Sequence, residues 1–289
     1  MSVGLEQFCK NRYPNVWPYN TNRVKLPTED RDPRTPDTDA RTYINASHIA
    51  VKTRHGVRRY IATQAPMKDT ALDFWRMVWN ERVLLVLMVT QEQERGRSQC
   101  YRYWPADPVP ASQTTADGGH GDHSGQGGHS GPAAGAVAGE GAAASESSSS
   151  STSSSRSHRI VYHFQHMTWL DCSIPSRVDT LDWFVCLSHI VRTEHRRYMS
   201  DELDGPMLVH CTAGCGRTGT VIAADILLTR DLASDAPNVV YPDTQAFTGG
   251  LTTDPVMEVV DQLRSQRMCL VQNTAQFAVL YELLFRRYA

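Results

Sequence analysis

Residues 207–220 read Met-Leu-Val-His-Cys-Thr-Ala-Gly-Cys-Gly-Arg-Thr-Gly-Thr, and this stretch decides how the rest of the chain is read. An apolar run of buried-strand character ends at Cys211, passes through a loop with Gly214, Gly216 and Gly219, and enters a helical pattern over 218–228. A tight loop at a helix N-terminus turns backbone N–H groups inward without chain partners, and the helix dipole favours negative charge there. A phosphate satisfies both. Arg217 adds a planar fork of donors that holds two phosphate oxygens at once. The same dipoles stabilise a thiolate at Cys211, so its pKa is expected well below the ~8.5 of a free thiol. The Cys-x5-Arg-Thr spacing lets Thr212, Ala213, Gly214, Cys215 and Gly216 curl around one tetrahedral anion, with a charged nucleophile beneath it.

The motif HCTAGCGRTG resembles the signature of the protein tyrosine phosphatase family, in its tyrosine-specific, non-receptor form. Further stretches match that family in order: Lys10-Asn11-Arg12-Tyr13-Pro14-Asn15-Val16, Arg23-Val24-Lys25-Leu26, Tyr43-Ile44-Asn45-Ala46-Ser47, Tyr60 to Pro66 and Cys100 to Pro105. The resemblance implies an α/β (α+β) Cys-x5-Arg phosphatase fold, a twisted mixed β-sheet flanked by helices. It also implies that Tyr13 and Val16 wall a slot deep enough for a phenyl ring, whose floor phosphoserine is too short to reach. Pro14 biases Tyr13 toward extended backbone, which suits a presented aromatic ring. The family usually carries an acidic residue where this chain has Asn15, and that carboxylate accepts hydrogen bonds from the substrate backbone. An amide oxygen still accepts, without charge assistance, so weaker peptide affinity is expected rather than lost chemistry.

Within Gln91 to Gly96 the resemblance places a glutamate that pairs with the catalytic arginine. Glu94 takes that role, with Glu92 as the alternative and a solvated charge run as the plainer reading. Trp169-Leu170-Asp171 falls where the family has Trp-Pro-Asp on a mobile loop. A tyrosine oxygen departs slowly unless a proton reaches it, and the same group can later take a proton from attacking water. Asp171 is the candidate for both roles. Leu170 in place of proline and Cys172 in place of the following aromatic are departures; without proline the loop's open ensemble broadens and a slower enzyme is expected. The Thr218 hydroxyl suits donation to the thiolate leaving a phosphocysteine. His210 is either a residue whose hydrogen bonds help set the thiolate or an ordinary strand-end histidine. Gln272 and Gln276 match the family's loop glutamines, which position the attacking water by donating and accepting at once. Cys215, four residues after Cys211, either traps an oxidised nucleophile as a disulfide or simply packs.

At 289 residues and 40% hydrophobic content the chain suits one domain over 1–289. A formal net charge of −2 gives no case for nucleic-acid or membrane binding. Seven scattered cysteines without metal spacing, and no signal peptide or bilayer-spanning run, point to a reducing cytoplasmic setting, with the nucleus as the alternative. Residues 106–155 are almost entirely small or polar and hold no aromatic residue, so they are read as a disordered insertion. This tract carries five acids and no Lys or Arg, which leaves the rest of the chain at +3. It stands where the family has antiparallel strands, and only Arg159 to His166, with Ile160, Tyr162 and Phe164 on one face, reads as one.

Elsewhere Asp69-Thr70 is read as the cap of a helix whose core side is Leu72, Trp75, Val78 and Trp79, and Val83 to Val89 as a strand buried on both faces. Thr180 to His195 reads as a helix with Leu181, Phe184, Val185, Ile190 and Val191 inward and Arg192, His195, Arg196 and Arg197 at a solvated end. Residues 27–40 and 234–253 read as loops, and Pro255 opens a helix to about Arg267.

The expected chemistry is hydrolysis of phosphotyrosine in proteins by two in-line steps through a phosphocysteine at Cys211, with no metal or cofactor. Phosphotyrosine proteins are the expected partners and the chain is expected to be a monomer. Two alternatives remain: a pseudophosphatase that binds phosphotyrosine without turnover, and a dual-specificity phosphatase, whose site would be shallower.

Overall fold

The structure, a computed structural model, describes residues 3–28, 40–53, 56–105, 134–139, 159–198, 205–232 and 254–288. In chain order the elements are α1 (Val3–Glu6), β1 (Arg23–Lys25), β2 (Tyr43–Thr53), β3 (Gly56–Thr63), α2 (Ala71–Asn80), β4 (Leu85–Met88), β5 (Gln93–Glu94) and β6 (Arg97–Ser98). They continue with β7 (Ala134–Gly139), β8 (Arg159–Gln165), α3 (Asp179–Tyr198), β9 (Met207–His210), α4 (Gly216–Leu232), α5 (Pro255–Arg264) and α6 (Thr274–Tyr288).

Seven strands form one mixed sheet in the order β1-β2-β3-β9-β4-β8-β7, and β5 with β6 makes a separate hairpin. The three central contacts, β3 with β9, β9 with β4 and β4 with β8, are parallel, and the outer ones are antiparallel. Parallel strands flanked by helices bury both faces, which explains the unbroken apolar runs of β4 and β9. Along β4 the alternation sends Leu85, Leu87 and Val89 into a core with α3, α4, α5 and α6, while Val86 and Met88 enter a second core with α2. β9 does the same, with Met207 and Val209 on one face and Leu208 on the other. Its C-terminal end delivers Cys211 to the edge of the sheet, between its neighbours β3 and β4. No described helix is long and apolar enough to cross a membrane.

Several expectations need correction. Of the 106–155 tract only Ala134–Gly139 is described, and there the backbone is a strand, β7, paired antiparallel with β8 from Ala134 opposite Phe164 to Gly139 opposite Arg159. A flanking strand with open ladder groups recruits a partner on backbone hydrogen bonding alone, which composition does not display. The rest of the tract, and the 234–253 and 29–39 parts of the expected loops, lie outside the described residues. On α2 the buried stripe is Phe74, Met77 and Val78, and Leu72 is exposed. Thr70 stands at the N-cap without a side-chain cap bond; its Oγ1 instead accepts from the Met67 N–H at 2.9 Å. Ile190 is exposed, whereas His195 is buried and meets the Tyr162 ring edge-on. Helix α4 starts at Gly216, two residues earlier than the periodicity indicated, so Arg217 lies in its first turn.

Candidate active site

Cys211 follows the last residue of β9 and is buried at 2% exposure, with the phosphate-size loop 212–216 leading into α4. That loop is held from behind by Arg267. Its guanidinium is fully buried and donates from Nε to Gly214 O at 2.8 Å and from Nη2 to Ala213 O at 3.1 Å, with Asn45 Oδ1 and Ser47 Oγ taking further bonds. Because each trans peptide sets its N–H opposite its C=O, turning these two carbonyls toward Arg267 turns the Gly214 and Cys215 amides the other way. Gly214 has φ +70°, and a Cβ there would lie 2.2 Å from Thr63 O, so only glycine fits.

Arg217 is 1% exposed and both terminal nitrogens of its fork are occupied. Nη1 donates to Glu94 Oε1 at 2.6 Å and to Trp169 O at 2.8 Å, while Nη2 donates to Asp171 Oδ1 at 3.0 Å and Thr212 Oγ1 at 2.8 Å. Burial works against its charge, but Cys211, Glu94 and Asp171 outweigh it and raise its pKa above the ordinary value. Glu94 also accepts from Thr90 Oγ1 at 3.0 Å and from the Asp171 N–H at 2.9 Å. Burial pushes the Glu94 carboxyl up, and the bonds from Arg217, Asp171 and Thr90 win, holding it below its usual range. Of the two glutamates weighed from sequence, Glu94 is the one placed against Arg217.

Asp171 thus holds Arg217 at Nη2, beside Thr212, with its own side chain 43% exposed. Trp169 is buried, and its indole Nε1 donates to Ser173 O at 2.8 Å, which closes the acid loop on itself. The glutamine loop grips the same segment: Asn273 Nδ2 donates to Cys172 O at 3.1 Å and Gln276 Nε2 to Ser173 O at 3.2 Å. Cys172 adopts φ +57°, a left-handed backbone that costs a non-glycine residue roughly 1–2 kcal/mol. Gln272 and Gln276 abut the start of α4; a methyl on Gly216 would lie 2.8 Å from Gln276 Oε1 and 3.0 Å from Gln272 Oε1. Two buried polar atoms at the heart of the site have no partner among the described residues, Arg217 Nε and Thr218 Oγ1. Buried donors left unpaired are costly, and a tetrahedral oxyanion between Cys211 and Arg217 would supply acceptors.

Tyr13 is half-buried, and the charges of Asp171, Cys211 and Arg217 act on its hydroxyl; burial first and then Asp171 raise its pKa. Val16 is half-buried and anchored by the Asn45 Nδ2 bond to its carbonyl at 2.7 Å, while Asn15 is exposed. Cys215 is buried with Sγ toward Ala213 O, and burial pushes its thiol up to about 12 despite Arg267, the environment of a packed, protonated cysteine. His210 is fully buried, its pKa pushed down to about 3 by burial. It contacts Cys211 O through Nδ1 at 3.1 Å and Tyr103 Oη through Nε2 at 2.7 Å. Sequence reasoning passed over Arg267, Tyr103 and Thr90. Arg267 and Tyr103 sat inside recognised motifs, and an arginine immediately before the apolar run Met268 to Val271 was the signal available; Thr90 gave none.

The chain belongs to the protein-tyrosine phosphatase family, whose model matches residues 7–286. Human tyrosine-protein phosphatase non-receptor type 12 is 31% identical over 282 residues, covering 96% of this chain and 30% of that protein. Rat phosphatidylinositol phosphatase PTPRQ is 33% identical, covering 95% of this chain and 10% of its own length. Tyrosine-protein phosphatase 2 of Schizosaccharomyces pombe is 32% identical, covering 95% and 33%. The chain therefore spans a third or less of these curated relatives. A solved structure concerned with PTPN18 and its fingerprint on distinct HER2 tyrosine phosphorylation sites matches with a TM-score of 0.63 at 28% identity, over 100% of this chain and 87% of that one.

Proposed function

We propose that the chain hydrolyses phosphotyrosine in proteins through a phosphocysteine at Cys211. The observation that carries this is the pair of unpartnered buried donors, Arg217 Nε and Thr218 Oγ1, around a buried cysteine whose arginine is already oriented by Glu94. In the first step the Cys211 thiolate attacks phosphorus in line, and Arg217 and the loop amides of 212–216 stabilise the equatorial oxygens. Asp171 delivers its proton to the phenolic oxygen, which leaves as tyrosine. In the second step Gln272 and Gln276 orient a water, Asp171 takes its proton, and phosphate departs while the Thr218 hydroxyl donates to the returning thiolate. Tyr13 and Val16 set the depth that favours phosphotyrosine. Asn15 contacts the substrate backbone, and Trp169 carries the acid loop. No metal or cofactor enters this chemistry.

The reading includes a monomeric single domain over 1–289, in a reducing cytoplasmic setting with the nucleus as the alternative compartment, that binds neither nucleic acid nor membrane. All seven cysteines are free, in keeping with such a setting. The test is release of phosphate from a phosphotyrosine peptide at mildly acidic pH without added metal, with Cys211→Ser alongside. Turnover by the parent and none by the variant supports the reading. Folded parent protein that binds the peptide without turnover overturns it. Because PTPRQ is by name a phosphatidylinositol phosphatase, a soluble phosphoinositide is the competing substrate; preference for it would overturn the protein-substrate assignment.

A further inference from the structure

Behind the nucleophile lies a buried chain of three rings. Tyr103 Oη is 2.7 Å from His210 Nε2 and 2.8 Å from His163 Nε2, and His210 Nδ1 is 3.1 Å from Cys211 O. All three side chains are buried: Tyr103 at 8% exposure, His163 at 6% and His210 at 0%. Strand β4 separates β8, which carries His163, from β9, which carries His210, and the Tyr103 hydroxyl bridges the two histidines across it. Trp104 stacks on His163 at 5.0 Å and the edge of Phe74 meets His210, which leaves little rotational freedom.

The proton positions in this chain follow from its far end. A carbonyl oxygen only accepts, so His210 Nδ1 must carry hydrogen toward Cys211 O. A neutral imidazole with hydrogen on Nδ1 has a bare Nε2, so Tyr103 must donate to it. The hydroxyl's single proton is then spent, and its oxygen accepts from His163, whose Nε2 carries hydrogen. Every bond runs in one direction, from β8 to the backbone of the nucleophile. Aligned hydrogen bonds polarise one another, so each strengthens the next in a buried setting. Were His163 to present a bare Nε2 instead, it would compete with His210 for the Tyr103 proton.

We propose that His163 is a positioning residue: by donating to Tyr103 it commits the Tyr103 proton to His210, and so secures the hydrogen bond that holds the Cys211 backbone in the geometry favouring the thiolate. Burial keeps both histidines neutral, with His163 pushed down to about 4 and His210 to about 3, so the arrangement persists at working pH. The other ionisable groups acting on the chain are Cys100 on Tyr103, and Arg12 and Arg217 on His210. The role rests on the phosphatase reading, but it is read out on the thiol itself.

The experiment measures the rate of Cys211 alkylation by iodoacetate across pH, with Cys211→Ser subtracting the other thiols, beside melting temperatures and the acid limb of kcat/KM. His163→Phe should slow alkylation at about pH 5 roughly three- to tenfold, the weight of one hydrogen bond in a buried network, and move its midpoint upward. His163→Gln, whose amide N–H still donates to Tyr103, should return the rate to within about twofold of the parent. In a Tyr103→Phe background, His163→Phe should add nothing. An alkylation profile for His163→Phe that superimposes on the parent overturns the proposal. So does a Gln variant as slow as the Phe variant, or additive effects in the Tyr103→Phe background. A parent without turnover would sink the phosphatase reading while the alkylation profile still tested this one.

Discussion

Replacing Glu94 by glutamine keeps the shape of the side chain and removes its charge, and the cost of Glu94→Gln follows from three bonds. The remaining oxygen can keep the bonds from Arg217 Nη1 and Thr90 Oγ1, now without charge assistance. The new amide NH2 faces the Asp171 N–H, a donor against a donor where a 2.9 Å bond stood. Losing charge assistance costs about 1 kcal/mol and orphaning a partly buried donor about 1–3 kcal/mol, so the net is about 2–4 kcal/mol. For a chain of this size that lowers the melting temperature by about 3–7 °C. Catalysis should fall as well, because Asp171 loses its backbone tether and Arg217 its charged anchor; kcat for a phosphotyrosine peptide should drop at least about tenfold. Glu94 titrates below its usual range in the folded state, so its contribution is present above about pH 4.5 and disappears as pH falls through the folded value. The gap between parent and variant should therefore close in acid. Differential scanning calorimetry and steady-state kinetics, with Glu92→Gln as a control that changes neither, are the assays. A Glu94→Gln protein melting within about 2 °C of the parent with unchanged kcat would refute the reasoning.

Other substitutions test separate parts of the site. Leu170→Pro removes no hydrogen bond seen in the structure and stiffens the acid loop by about 0.4–1 kcal/mol, so kcat should rise about two- to fivefold; an unchanged kcat in steady-state assays defeats that account. Gly214→Ala places a methyl 2.2 Å from Thr63 O at φ +70°, and the displaced loop should lose at least about a hundredfold in kcat/KM, which a near-parental value would contradict. Because His163 and His210 titrate far below 6.5 when folded, the unfolded chain binds more protons in acid. Stability should then fall between about pH 6.5 and pH 4, by up to about 1.4 kcal/mol per pH unit for each histidine. Urea titrations should show a shallower fall for His163→Gln, and equal slopes would count against the burial of His163.

The nucleophile, the arginine and their spacing were legible in sequence because a phosphate-size loop between a strand and a helix is a local object: Cys211 to Thr218 are contiguous, and the glycines mark its bends. Apolar runs announced β4 and β9 for the same reason, since burial on both faces leaves few polar residues in either. What the sequence left open was pairing across the chain. Glu94 and Glu92 are equivalent as letters, and only the turn of the β5–β6 hairpin sets one of them 2.6 Å from Arg217. Composition could not show that Ala134–Gly139 joins the sheet, because that pairing uses backbone groups every residue shares. Nor could it tell that His195 is buried while Ile190 is exposed, which depends on how α3 lies against its neighbours. Arg267 and the His163–Tyr103–His210 chain are assembled from strands and loops far apart in sequence, by hydrogen bonds a few ångströms long. Local chemistry was therefore written in the sequence, whereas the partners that orient it were chosen by the fold, because hydrogen bonding depends on distance in space and not along the chain.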